Sequence, residues 1–291
     1  MFEKNVDIPD KDNKIARLQL QLLKNMIFRD NSKVNIESLE IWNGIGCSLN
    51  CKYCFREIPF VKGRPYDLSM LKEDLSRLFQ MADIKHVIIG GGDAFRFHGI
   101  DELITFLISE IRVHTILVRT NGRTVPSDEE LKLMNRFKDR VSVMLQKIEN
   151  SEEMFEYYLE SQAALEKAEV KYVCIDQGEM GKWINCGDPR KRHHYQTARL
   201  AYLDCNMKKC PTLFEGKLYG CPRGVNYTEV TGGILSQFEM LDVRKNTDIK
   251  RTRSLLKIIL ESDEYKEYCR YCIGKSERNP LKCSSDEKWI K

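Results

Sequence analysis

Gly46-Cys47-Ser48-Leu49-Asn50-Cys51-Lys52-Tyr53-Cys54-Phe55 is the stretch on which the reading of this chain turns. It sets three thiols in a C-x3-C-x2-C spacing shortly after residues 38–42, which read as a β-strand. Three thiolates this close suit a soft metal or an iron–sulfur cluster. A structural zinc site takes four ligands, and no fourth lies close in sequence. On a four-iron cube three thiolates leave one iron open, and an open iron is a place for chemistry. The competing reading is a zinc knuckle that borrows a distant fourth ligand.

Outward from this stretch, strand and helix patterns alternate. Residues 68–81 read as a helix with Leu68, Leu71, Leu75 and Leu78 on one face. Residues 86–89 are a short apolar strand ending in Gly90-Gly91-Gly92. Residues 100–111 read as helix, and 114–118 as a strand ending at Thr120-Asn121-Gly122. Ser127 caps a helix that runs to Phe137, with Glu130 completing a capping box. A strand at 141–145, a helix at 151–168 and a strand at 170–175 follow. Strands alternating with helices imply parallel βα units under right-handed crossovers. The expected fold is α/β, a partial (β/α)6 TIM-like barrel with its site at the carboxyl ends of the strands. Residues 1–35 are rich in Lys and Asn around one amphipathic piece, 15–28, read as a helix packed outside that core.

The alternation stops after about residue 185. Residues 191–204 read as a helix with a basic start, 212–219 as a hairpin turning at Glu215-Gly216, and 252–268 as a helix after a loop-rich stretch. Six of the eleven cysteines cluster in the last third, Cys205, Cys210, Cys221, Cys269, Cys272 and Cys283, with only Cys174 and Cys186 between them and the first group. The expected division is a helical extension (1–35), a core (36–185) and a small metal-stapled domain (186–291), in which metal replaces part of a hydrophobic core.

Bulk composition narrows the classes. Apolar residues make up 42% of the 291, enough for a sizeable core. The net charge of +4, from 47 basic and 43 acidic residues, is too even to argue for nucleic acid. The basic run Arg190-Lys191-Arg192 and the tandem His193-His194 read as solvated surface. No run approaches the roughly 18 apolar residues of a membrane span, and residues 1–12 show no apolar signal region. The expectation is a cytoplasmic protein whose cysteines stay reduced, which makes metal the reason for their clustering.

The cysteine spacing, with the aromatic Tyr53 just before its last member, resembles the signature of the radical S-adenosylmethionine (SAM) superfamily. Gly91-Gly92-Asp93 after the second strand resembles that family's Gly-Gly-Glu motif, and Thr120-Asn121-Gly122 a common motif lining the same site. The resemblance covers roughly residues 36–180. It implies a [4Fe–4S] cluster on Cys47, Cys51 and Cys54 whose open iron chelates SAM. One electron then releases a 5′-deoxyadenosyl radical that abstracts hydrogen from a substrate. It implies SAM contacts by Tyr53, Gly91, Gly92, Asp93, Thr120 and Asn121. On the fourth strand the family often carries a serine near the ribose; Met144 and Gln146 stand there instead, and Gln146 is the ribose candidate. A reductant such as flavodoxin or ferredoxin is implied as partner.

Cys210, Cys221, Cys269 and Cys272, with Gly216 five residues before Cys221, resemble the auxiliary-cluster domains of that superfamily, closest to the shortened twitch form of the SPASM type. They imply a second, auxiliary [4Fe–4S] cluster, with Cys205 as a fifth candidate; a four-cysteine zinc site is the structural alternative. The one-cluster form resembles enzymes acting on aminocyclitols and sugars. That implies an oxidoreductase or epimerase working at a carbinol carbon of a carbohydrate or polyol. Cys174, on the strand at 170–175, is the candidate hydrogen donor for epimerisation, against the plainer role of a small buried hydrophobe. The alternatives are a maturase of a ribosomal peptide, held through Arg190 to His194, and a non-catalytic metal-stabilised binding module. The 35 residues before the core are short for a leader-peptide-binding domain.

Overall fold

The computed structural model describes residues 8–27, 33–49, 51, 53–147, 152–176, 183–245, 248–274 and 280–281. Phe28, Asn50, Lys52 and Cys283 lie outside them.

The core opens with helix α1 (Ile8–Ile27), the long strand β1 (Val34–Gly46) and the short β2 (Arg64–Pro65). It continues α2 (Leu68–Met81), β3 (Ala82–Gly92), α3 (Ile100–Ser109), β4 (Thr115–Thr120), α4 (Asp128–Arg136), β5 (Val141–Lys147), α5 (Glu152–Lys167) and β6 (Tyr172–Asp176). The first Leu of α2 follows Asp67, whose carboxylate accepts from Met70 N. The Ser127–Glu130 capping box before α4 forms in both directions. Such caps satisfy N–H groups that the first helical turn leaves unpaired.

β1, β3, β4, β5 and β6 pair in parallel in that order, each step crossing over through a helix. The sheet is α/β and open rather than closed. After β7 (Trp183–Ile184) and α6 (Tyr195–Leu203) come β8 (Thr212–Phe214) and β9 (Lys217–Tyr219), joined at Glu215 and Gly216. Both turn residues have positive φ, 47° and 73°, the two-residue hairpin geometry that matches strand twist. β8 lies parallel to β1 on the side away from β3. The sixth parallel strand thus comes from beyond residue 185, and β9 and β10 (Met240–Asp242) extend the same sheet. α7 (Arg223–Thr231), in the stretch read as loop, and α8 (Ile249–Glu261) pack beside it, and β11 (Pro280–Leu281) pairs with β7.

Side-chain alternation gives the sheet two faces. Ile116, Val118, Val141, Val143 and Leu145 are fully buried beneath the helices. Leu117, Arg119, Ser142, Met144 and Gln146 alternate with them and are only partly covered. That second, open face carries the site. One apolar core joins the units, from Leu18 of α1 through Ile41 and Ile89 to Leu213, Leu241 and Ile259.

Candidate active site

β1 delivers Cys47 at its carboxyl end, and the chain then turns tightly: Cys54 N donates to Cys51 O at 3.1 Å and Glu57 N to Cys54 O at 3.0 Å. Backbone N–H of Leu49 points at the Cys47 sulfur, and those of Arg56 and Ile58 at the Cys54 sulfur. Asn121 Nδ2 lies 3.3 Å from Cys47 Sγ and 3.5 Å from Ser48 Oγ, which brings the Thr120-Asn121-Gly122 motif onto the cysteine loop. Tyr53 sits in that loop, partly buried. Burial pushes the Cys47 thiol up to about 12, with Cys54 and Asp93 adding to it, and burial also raises Cys54. Thiols so placed ionise when a cationic metal group binds them. Cys47 and Cys54, with N–H donors at their sulfurs, and the buried Cys51 in the same turn are the residues that would hold a [4Fe–4S] cluster.

The glycines after β3 are set by β1. Gly91 and Gly92 hold φ of 104° and 139°. A Cβ on Gly91 would stand 2.1 Å from Gly44 O, and one on Gly92 1.9 Å from Gly46 O. The close backbone approach is therefore between strands, whatever else the glycines admit. Asp93 is 1% exposed. Its Oδ1 accepts from Thr120 Oγ1 at 2.8 Å and from Phe95 N at 3.3 Å, while Thr120 Oγ1 accepts from Gly122 N. Burial raises the Asp93 carboxyl, and these donors oppose it. The carboxylate ties the two glycine-bearing motifs together. Gln146 lies on the open face, in register with Ile175.

Cys174 is placed otherwise than a substrate-facing thiol. It pairs in register with Leu145, on the helix-facing side of the sheet, and Tyr158 Oη of α5 donates to its sulfur at 3.0 Å. The parity of β6 decides this: Val173 and Ile175 take the open face, so Cys174 cannot.

The second cysteine group converges with one exchange. Cys205, Cys221, Cys269 and Cys272 line a single cavity with Phe55, Tyr202, Lys208, Arg223 and Tyr268. Cys210 is not among its lining residues; it acts electrostatically on Arg56. The reason is β8: Pro211 O accepts from Glu40 N at 2.9 Å, which draws the residue before it toward the first cysteine loop. Burial pushes Cys269 up to about 12 and holds Cys221 well above its ordinary value, with the neighbouring cysteines adding to both. Cys272 moves the other way, lowered first by a hydrogen bond from the buried Cys186 and then by Arg223. Among the described residues, no three His, Cys, Asp or Glu side chains close on one point as ligands of a single metal ion would.

One element escaped the sequence reading. Glu40 lies in mid-β1, fully buried. It accepts from Arg56 Nε at 2.6 Å, Trp42 Nε1 at 2.8 Å and Arg119 Nη1 at 3.3 Å. Two guanidinium groups on one carboxylate leave a net positive charge on the open face beneath the cysteine loop. A glutamate inside an apolar strand run was its signal.

A parallel α/β sheet with three cysteines at the carboxyl end of its first strand, and glycine-bearing turns after the next two, defines a class of site for a metal cluster and a small cofactor. Residues 44–171 match the Radical SAM superfamily. That superfamily works with SAM at a [4Fe–4S] cluster. No curated protein matches the chain. Solved structures resemble it in fold. Native anSMEcpe with bound AdoMet aligns at 15% identity and TM-score 0.52, over 85% of this chain and 93% of that one. The same protein with AdoMet and the Cp18Cys peptide gives 15% and 0.52, over 86% and 93%. BtrN in complex with AdoMet and 2-DOIA aligns at 14% and 0.51, over 83% and 94%. No described helix is long and apolar enough to cross a membrane.

Proposed function

We propose that this radical SAM enzyme oxidises a carbinol carbon of a carbohydrate or polyol, with Cys47, Cys51 and Cys54 holding the SAM-binding cluster and Cys205, Cys221, Cys269 and Cys272 an auxiliary one. The observation that carries the reading is the cavity lined by those four thiols, whose wall includes Phe55, the residue after Cys54. When bound, the first cluster supplies the electron that splits SAM to give a hydrogen-abstracting radical, and the second takes up the electron left on the substrate carbon. Hydrogen abstraction, loss of that electron and loss of the hydroxyl proton together give a ketone.

This chain's residues supply the frame. Asn121 stands over Cys47, Asp93 fixes the turn that carries Asn121, and Gln146, on the open face, is the residue that would contact the ribose. Arg56, Arg119 and Glu40 keep that face charged beneath the loop. Dehydrogenation is preferred to epimerisation because Cys174 is turned toward α5. The basic stretch that could hold an acidic peptide is partly committed: Arg190 pairs with Asp188 at 3.0 Å and Arg192 with Glu267 at 3.1 Å.

The test is to incubate the reduced, loaded enzyme with SAM and carbinol-deuterated sugars and polyols. Deuterium in 5′-deoxyadenosine, with a ketone product, supports the reading. Deuterium arriving only from a co-encoded peptide overturns it.

A further inference from the structure

The loop that carries Cys54 and the second cysteine group are joined by buried polar contacts. Glu57, three residues past Cys54, pairs with Arg223, two past Cys221; Arg223 Nη2 lies 2.8 Å from Glu57 Oε1, and both side chains are 4% exposed. The same Nη2 donates to Tyr271 O at 2.8 Å, inside the Cys269–Cys272 turn. One residue before Glu57, Arg56 O accepts from Asn226 Nδ2 at 2.7 Å. Glu57 holds φ of 60°, a left-handed conformation that a non-glycine residue keeps only where its surroundings impose it. Losing either member of such a pair leaves a buried charge uncompensated, so the two loops hold their arrangement together.

We infer that Glu57 and Arg223 are positioning residues that couple the two metal sites. The pair carries the arrangement of the second cysteine group to the Cys54 loop and so fixes how the first cluster presents itself to SAM. This rests on reading the two cysteine groups as cluster sites. Groups that orient metal ligands from behind matter by about 10- to 100-fold in activity.

The experiment uses the full chain, loaded anaerobically, with Glu57→Gln and Asn226→Ala made separately and together. Asn226→Ala breaks the same seam without unpairing a charge, so it stays informative if Glu57→Gln fails to fold. Iron content, circular dichroism and the EPR spectrum of the reduced first cluster are recorded with and without SAM. Each variant is expected to keep its iron and fold, to lose or broaden the spectral change that SAM induces, and to cleave SAM about 10- to 100-fold more slowly. The double variant should fall no further than the worse single one. Wild-type SAM-induced spectra in both variants, or losses that multiply in the double variant, would overturn the coupling. Zinc in the second site would defeat the two-cluster reading, while the EPR of the first cluster would still decide this inference.

Discussion

Tyr158 of α5 donates its hydroxyl to Cys174 Sγ of β6 at 3.0 Å. A thiol engaged from the helix side of a sheet is not poised to hand a hydrogen atom to a substrate on the other side. Cys174→Ala should therefore leave both SAM cleavage and product formation intact. The lost hydrogen bond should lower stability by about 1 kcal/mol. A variant that still cleaves SAM but no longer forms product would restore the donor role.

Ligand assignment in the second group separates two neighbouring cysteines. In a background with Cys47, Cys51 and Cys54 all replaced by Ala, the remaining iron should be lost on Cys205→Ala and kept on Cys210→Ala. Because small metal-stapled regions lean on their metal, the first change should also reduce solubility. Iron and sulfide analysis reads both outcomes, and the reverse pattern would assign Cys210 as the ligand.

Gly91→Ala and Gly92→Ala should both unsettle the sheet, since each Cβ would press on a β1 carbonyl at about 2 Å in a backbone region that costs an L-residue about 1–3 kcal/mol even without a clash. Thermal unfolding of the apoprotein is the measurement, because it separates this effect from any on SAM. An apoprotein of unchanged Tm would show that the glycines serve the cofactor alone.

Acid should loosen the packing of α1. Lys14 pairs with Glu239 at 3.1 Å, both nearly buried. Burial pushes the Glu239 carboxyl up, but Lys14 and the N–H groups of Ser236 and Glu267 outweigh it and hold it below its ordinary value. A carboxyl lowered in the folded state contributes stability that is complete above the unfolded value, about 4.3, and is lost as pH falls through the folded one. Glu239→Gln should flatten that part of the acid limb and cost about 3 kcal/mol at neutral pH. An acid limb identical to the wild type would assign the loss to other carboxylates.

The βα order was legible because each strand of the core is an apolar run bounded by turn residues, and α2 and α4 start and stop at their caps. The first cysteine loop was legible because its three ligands are local in sequence. Four things were not. The pairing of β8 with β1 joins residues about 170 apart, and no local pattern records it. That Cys205 and not Cys210 lines the cavity of the second group is likewise a tertiary matter, with Pro211 O, next to Cys210, accepting from Glu40 N. The outward turn of Cys174 depends on a register of one residue, which a five-residue strand does not announce. The buried Glu40 with Arg56 and Arg119 is a tertiary cluster drawn from three separate segments.

The central claim is that Cys47, Cys51 and Cys54 hold a cluster that cleaves SAM. The most direct measurement is anaerobic reconstitution of the wild type and of the triple Ala variant at those positions. Iron and acid-labile sulfide are then counted, and 5′-deoxyadenosine is assayed after adding SAM and a strong reductant. The wild type should form 5′-deoxyadenosine; the variant should lose about four irons per chain and form none. Zinc without sulfide in the wild type, or 5′-deoxyadenosine from the variant, would contradict the account.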